Sequence, residues 1–573
     1  MPTLVLTNFN IIVSFLGGFI SLFGLVSYLL KEKFYMSEAL ISLLAGVTFS
    51  PHAANLIRPL EYALGSEENL NYITLYFSRL VLGVQLVLAG VQLPSRYLQK
   101  EWKSLSLLLG PVMTCMWLVT SLLVWGLVPN LPFLHALAIG ACVTPTDPIL
   151  SNVIVKGKFA DHNVPKQLQR IIIAESGAND GLGYPFLFFA LYLIQYIGDG
   201  GQTFSGGAGK AIGLWFGETW GYTIILSIVY GTVVGWIAKE LLHYAENRKW
   251  VDRESFLVFA VSLALFITGT CGMVGSDDVL ACFIAGNAFT WDDWFRLETL
   301  DEYAFPVFSL QPTIDMLLNV TIFLWYGAVC PWTLFAHNHV ISIGRLIALG
   351  ILILLLRRLP IVLSLHKYVH QLQDIRQALF MGYFGPVGVS GIFYLYITLE
   401  FLEMLKQGEH QREDVANMGE AVTVVVWFVA ICSVVVHGLS IPLGKFGFYL
   451  PRTLSRTLTT DDQGESFNIR DRVSSFLPPF SALSRSISRS RNDSGANTPH
   501  ESRPASSRPV FRIGGSVIKD NRPANASQTY VPPSRLETGT GGTGTQTPQE
   551  TLPQSPVLPN RTIRFPDEET DGP

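Results

Sequence analysis

Charge is what this sequence has least of. Of its 573 residues only 15% are Asp, Glu, Lys or Arg, against roughly a quarter in soluble domains. That excludes an ordinary water-soluble globule. The net charge of −4 names no partner, because the charges are segregated along the chain, and no nucleic-acid partner is expected. Cysteine is scarce as well: Cys115, Cys142, Cys271, Cys282, Cys330 and Cys432 all sit in apolar runs. No CxxC pair occurs and no His stands nearby at ligand spacing, so a thiolate metal centre is excluded and these read as small core residues. The eleven histidines are scattered. No glycine-rich phosphate loop of the Walker type is present, which fits a carrier driven by gradients rather than by a P-loop ATPase. No cofactor is expected.

Apolar residues are abundant, at 49% with a mean hydropathy of +0.35. They fall in runs of roughly 20 residues, the length that crosses a ~30 Å hydrocarbon core. Such runs lie near 4–30, 38–60, 72–97, 103–128, 131–155, 170–197, 211–240, 255–274, 277–291, 315–336, 340–359, 376–400 and 419–446. The expected fold is an all-α polytopic membrane protein of about thirteen transmembrane helices. The first run reads as a span rather than a signal peptide, being long and without a basic n-region. Basic clusters at Lys31/Lys33, Arg96/Lys100/Lys103, Lys156/Lys158/Lys166/Arg170, Arg248/Lys249/Arg253 and Arg358/Lys367/Arg376 are separated by even numbers of spans. All five therefore share one face, which the positive-inside rule makes cytoplasmic. Residues 1–449 form the membrane domain. Residues 450–573, rich in Ser, Thr, Pro, Arg and Gly, form a cytoplasmic tail too poor in apolar surface to offset its ordering entropy, hence disordered. The stretch "KFGFYLPRTLSRTL" reads as an amphipathic segment suited to the inner leaflet. The basic Ser runs suit kinases, regulatory proteins or anionic lipid; the alternative is a solvated tail the membrane chemistry does not need.

Against this background "CVTPTDPIL" is anomalous: it sets Asp147 between Pro145 and Pro148 inside an apolar run. A carboxylate at mid-membrane costs roughly 2.5–3.5 kcal/mol on insertion scales. "IIIAESGANDGLGYPFLFF" adds Glu175, Ser176, Asn179 and Asp180, with Glu175/Asn179 and Ser176/Asp180 on adjoining stripes of one helix. "GSDDVL" supplies Asp277 and Asp278, either transport acids or a helix cap. "LLLRRLP" supplies Arg357 and Arg358, either internal partners, for instance Glu175 with Arg357, or bases snorkelling at a boundary. A second broken run, "FMGYFGPVGVSGIFYLYI", carries Gly385, Pro386, Gly388 and Gly391. Two broken spans, one in each half, point to inverted repeats with two crossing discontinuous helices. Broken backbone survives only inside protein or against a wet cavity, and a charge offsets half-helix dipoles that meet head to head. Asp147 with its prolines thus reads as part of a binding site.

In this order, "CVTPTDPIL", "AESGANDG", "GSDDVLACFIAGNAFTWDDWF", "LLLRRLP" and "FGPVGVSGIFY", with the earlier "RLVLGVQLVLAGVQLPSRYLQKEWKSL", closely resemble the fungal plasma-membrane Na⁺(K⁺)/H⁺ antiporters of the monovalent cation/proton antiporter superfamily. The likeness covers about residues 10–450. It implies thirteen helices divided between a dimerisation and a core domain, an elevator-like step, a homodimer and a plasma-membrane location. It makes Asp180, beside Asn179, the ion-carrying acid, with Thr146 and Ser176 as oxygen ligands to Na⁺. It sets Asp147 at the helix crossing, pairs Glu175 with a membrane arginine for which Arg357 fits better than Arg358, and adds Asp277 and Asp278 as further transport acids. Ala178 stands where many relatives are expected to carry Cys.

Elementary chemistry agrees with such a carrier. Hard cations want oxygen ligands, and a desolvated carboxylate holds either a proton or a cation. The expectation is export of Na⁺ and Li⁺, with K⁺ as a further candidate, against inward protons. A proton-coupled carrier or channel for another solute is the first alternative. An intramembrane aspartic protease, with Asp147 and Asp180 sharing a proton, is the remote one, because its glycines should precede the acid whereas Gly181 and Gly183 follow it.

Overall fold

Lipid offers no hydrogen bonds, so an apolar run that enters it must satisfy its backbone internally, as a helix. The computed structural model of the chain describes residues 7–147, 150, 163–197, 206–300, 310–405, 413–458, 511–513 and 516–518. Contacts divide the chain into two units, Met1–Glu465 and Ser466–Pro573. In the first, every described regular element is a helix: α1 (Asn8–Tyr28), α2 (Glu38–Phe49), α3 (Glu67–Gln92), α4 (Trp102–Leu127), α5 (Phe133–Cys142), α6 (Lys166–Gly181), α7 (Gly183–Tyr196), α8 (Gly207–Asn247), α9 (Arg253–Val274), α10 (Asp278–Phe289), α11 (Leu310–Val329), α12 (Ile343–Leu356), α13 (Leu359–Leu365), α14 (Ile375–Tyr383), α15 (Val389–Leu405) and α16 (Glu413–Leu458), joined by short helical turns. Each of the thirteen expected spans holds one of these helices or a consecutive pair. Among the described residues seven stretches are long and apolar enough to cross a membrane, and α2, α5, α10 and Thr313–Val329 are shorter apolar helices.

Burial separates centre from rim. The most apolar window of α3 is 72% buried, whereas that of α1 is 6% buried and turns Phe9, Leu22 and Leu25 outward, as a lipid-facing helix does. Helix α10 packs against α3, α8, α9 and α6. It lies so close to α8 that a Cβ on Gly231 or Gly235 would strike the backbone of Ala281 or Ala285, the small-residue contact by which membrane helices approach without a hydrophobic driving force.

Both expected breaks occur. Helix α5 ends at Cys142 and residues 143–147 are not helical; α14 ends at Tyr383, and 384–388 are not helical before α15 begins. Pro145 and Pro386 each lack the N–H a helix would need there. Pro148 lies outside the described residues. A further interruption separates α12 from α13, with Arg357 and Arg358 at the joint and Pro360 in the first turn beyond.

The boundary expected at 449/450 falls inside α16, which runs on as one helix to Leu458. In the second unit, Phe511–Ile513 and Ser516–Ile518 pair as a two-stranded antiparallel hairpin. Among its described residues, the tail expected to be disordered therefore holds the end of α16 and this hairpin; its remaining residues lie outside those described.

Candidate functional site

The first break, α6 and the second break converge. The Thr146 amide donates to Asn179 Oδ1 at 3.1 Å, and Asn179 Nδ2 donates to Thr146 Oγ1 at 2.8 Å. Thr146 Oγ1 also lies 3.1 Å from Ser176 Oγ. The i,i+3 spacing of Ser176 and Asn179 turns both toward the unwound backbone after α5. Asp147 joins the two breaks: its N–H donates to the Pro386 carbonyl at 2.9 Å, and its Oδ2 accepts from the Val389 N–H at 2.5 Å. A Cβ on Gly388 would land on that same Oδ2, so glycine there is what lets the second break approach the acid.

One turn from Ser176, Asp180 is fully buried, and neither carboxylate oxygen has a hydrogen-bond partner. Asp147 is its charged neighbour. Ser390 of α15 also interacts with it, although no bond of standard geometry forms and the buried Ser390 hydroxyl is itself unpartnered. Below the acid, Tyr394 donates to the carbonyls of Asp180 and Gly181, closing the backbone where α6 gives way to α7. The hydroxyl oxygens of Thr146 and Ser176, each with two lone pairs, and the buried carboxylate of Asp180 one turn along α6 are oxygen donors of the kind a hard cation takes.

The arginines trade the places expected of them. Glu175 is bonded by Arg358, with Nη1 to Oε1 at 2.8 Å and Nη2 to Oε2 at 2.7 Å, and both residues are buried. Arg357 instead donates to the Val143, Thr144, Pro145 and Gly385 carbonyls. The expected Glu175–Arg357 pair is thus corrected to Glu175–Arg358. The physical reason lies at the joint between α12 and α13. Arg357 still has helical backbone angles and projects toward the loosened carbonyls of both breaks, whereas Arg358, at φ −117°, leaves the helix direction and lays its planar fork on the carboxylate.

Asp277 and Asp278 stand apart from this cluster. Asp277 caps α10, accepting from the Leu280 N–H at 3.0 Å, while its buried Oδ2 has no partner. Asp278 accepts from Arg79 Nε of α3 at 2.9 Å. Helix α10 nevertheless packs on α6, since a Cβ on Gly177 or Gly181 would strike Phe283 or Leu280. Sequence reading missed Arg79, Ser390 and Tyr394. A lone base inside "FSRLVLG" was the available signal for the first; Ser390 lies in "FGPVGVSGIFY", where the glycines and proline drew attention.

Residues 18–443 match the family model described as "Sodium/hydrogen exchanger, transmembrane". The chain belongs to this family. Among exchanger relatives it is 36% identical over 496 residues to "Na(+)/H(+) antiporter 2" of Zygosaccharomyces rouxii, which covers 85% of this chain and 58% of the relative. It is 31% identical over 450 residues to the "Na(+)/H(+) antiporter" of Schizosaccharomyces pombe, covering 77% of this chain and 92% of the relative. The chain spans about half to three fifths of the length of three of the curated relatives it matches. The exchanger fold is also seen in the sodium proton antiporter MjNhaP1 from Methanocaldococcus jannaschii, with a TM-score of 0.52 and 19% identity over 74% of this chain and 98% of that one.

Proposed function

We propose that this chain is a secondary antiporter that moves Na⁺ and Li⁺, with K⁺ as a further candidate, out of the cell in exchange for protons. The observation that carries the reading is Asp180: a fully buried carboxylate with both oxygens unpartnered, set one helical turn from hydroxyls that the first break gathers. An ionised carboxylate without a partner in such a place is costly, and either a proton or a cation relieves that cost. Because one acid serves both, they compete, and access from alternate faces converts competition into exchange. Thr146 and Ser176 lend oxygens to the cation, and Asn179 holds Thr146 in place. Asp147 and Arg357 keep the two breaks together, and the Glu175–Arg358 pair braces them from α6. Asp278 is taken up by Arg79, so of the acidic pair it is Asp277 that retains an open oxygen for a proton.

The names of the relatives support Na⁺ and H⁺ as the exchanged ions. The fungal relatives favour the plasma membrane, the basic loops favour a cytoplasmic tail, and the family likeness favours a homodimer. A protease dyad fits less well, because Asp147 is occupied by the Val389 amide and cannot share a proton symmetrically with Asp180.

The test is dissipation of a preset pH gradient in proteoliposomes of the full chain on addition of Na⁺, Li⁺ or K⁺ separately. Exchange with at least one supports the reading, and the ranking identifies the cargo; no exchange with any of the three, in protein shown to be folded, overturns it. Ser390→Ala is expected to raise the cation concentration giving half-maximal rate by about two- to tenfold, the value of one neutral oxygen contact, with a smaller change in maximal rate. An unchanged half-maximal concentration would remove Ser390 from the ion's surroundings.

A further inference from the structure

The unwound residues 384–388 leave backbone groups that a helix would have satisfied, and in lipid each needs a protein partner. Arg357 takes the Gly385 carbonyl, and Asp147 takes the Pro386 carbonyl and the Val389 N–H. The Val387 N–H is met from another element, which also reaches the Tyr383 carbonyl, already the acceptor of the Gly385 N–H at 3.0 Å. Ser433 Oγ on α16 accepts from Val387 N at 2.8 Å, and His437 Nε2 lies 3.1 Å from the Tyr383 carbonyl. Ser433 and His437 are i,i+4 neighbours, so one face of α16 grips both sides of the break. Both side chains are buried.

We infer that Ser433 and His437 are positioning residues for exchange: they hold the second helix break in the shape that brings the Val389 amide to Asp147. The inference rests on the exchange reading above. His437 Nδ1 lies 3.2 Å from Ser433 Oγ and 2.8 Å from the Ser433 carbonyl, so the ring has two ways of bonding. With its single proton on Nε2, it donates to Tyr383 while Nδ1 accepts the Ser433 hydroxyl proton. With two protons, Nδ1–H turns to the Ser433 carbonyl and the hydroxyl proton is released, while Nε2 still donates to Tyr383. In either state the Ser433 oxygen accepts from the Val387 N–H; protonation of His437 changes only what the Ser433 hydroxyl donates to. The charged or titratable groups that face the ring are Arg357, from the joint between α12 and α13, and Tyr383 of α14, whose ring centroid is 5.4 Å away.

The test uses the full chain in nanodiscs and in proteoliposomes, with Ser433→Ala, Ser433→Thr, His437→Leu and His437→Gln. Amide hydrogen exchange of the 384–389 stretch reports the break directly. Ser433→Ala strands the Val387 N–H and is expected to speed deuterium uptake there by about tenfold, whereas His437→Leu leaves the Tyr383 carbonyl its Gly385 N–H and is expected to speed it by about two- to threefold; each slows cation exchange by a similar factor. Thr restores the hydroxyl and Gln restores a donor at the Nε2 position, so both recover most of the protection. Wild-type protection of 384–389 in Ser433→Ala and His437→Leu, or Gln no better than Leu, overturns the inference. General unfolding would raise uptake across α3 and α10 too, and the Thr and Gln variants then decide. If wild type exchanges no cation the exchange reading falls, and the role in exchange with it, whereas the amide data still tell whether α16 holds the break.

Discussion

Proteoliposomes carrying Asp180→Asn are expected to leave a pH gradient intact when Na⁺, Li⁺ or K⁺ is added, a loss of about 100-fold or more. The substitution is nearly isosteric. It removes the charge that attracts a cation and the group that can give up a proton, so both halves of the exchange fail together. The fold is expected to survive. Asp180 accepts no hydrogen bond through its side chain, and the Tyr394 hydroxyl bonds to its backbone carbonyl, which asparagine keeps. Thermal unfolding should therefore match wild type or rise slightly, because an ionisable group has left a fully buried position. The pairing of lost transport with retained stability is the signature. Full exchange by Asp180→Asn would move the ion-carrying role elsewhere, and Asp277, whose Oδ2 is also buried and unpartnered, becomes the next acid to substitute.

Glu175→Gln gives the opposite pattern. It leaves the Arg358 guanidinium buried without its carboxylate, and breaking one side of a buried ion pair costs about 3–5 kcal/mol. A large drop in unfolding temperature is expected, with loss of exchange following from loss of structure. Arg358→Met should cost a similar amount, and the double variant Glu175→Gln/Arg358→Met should recover a substantial part, because no uncompensated charge remains. The same cycle run between Glu175 and Arg357 should show little coupling, since Arg357 is held by carbonyl oxygens. Coupling to Arg357 stronger than to Arg358 would contradict the geometry.

Those two arginines mark where sequence reading stops. Run length and the cost of bare backbone in lipid made the helical spans legible, and Pro145, Gly385, Pro386 and Gly388 announced both breaks. Thr146, Ser176 and Asn179 were singled out through the family resemblance, whereas the hydrogen bonds that join Thr146 to Asn179 emerge only from the fold. Choosing between adjacent arginines at a helix joint needs the direction in which the chain leaves the helix, and periodicity carries no such information. Ser433 and His437 were hidden for a related reason: a serine and a histidine one turn apart in an apolar helix are unremarkable until the carbonyl and amide they meet, some fifty residues away, are known. The hairpin in the tail rests on three-residue strands, too short for alternation to stand out.

The bond between the Val389 amide and Asp147 spans 242 residues of chain. At roughly 5–20 residues per second of synthesis, the ribosome needs about 12–48 s to deliver the second break after the first has been made. Through that interval the Asp147 carboxylate lacks the Val389 N–H that donates to it in the finished protein, and the unwound stretch around it lacks Arg357 as well. The newborn N-terminal half must therefore keep an acid and bare peptide groups in the company of water, the insertion machinery or other nascent helices. Completion of the crossing waits for synthesis of the second break, so premature termination anywhere before residue 386 yields a half-built crossing.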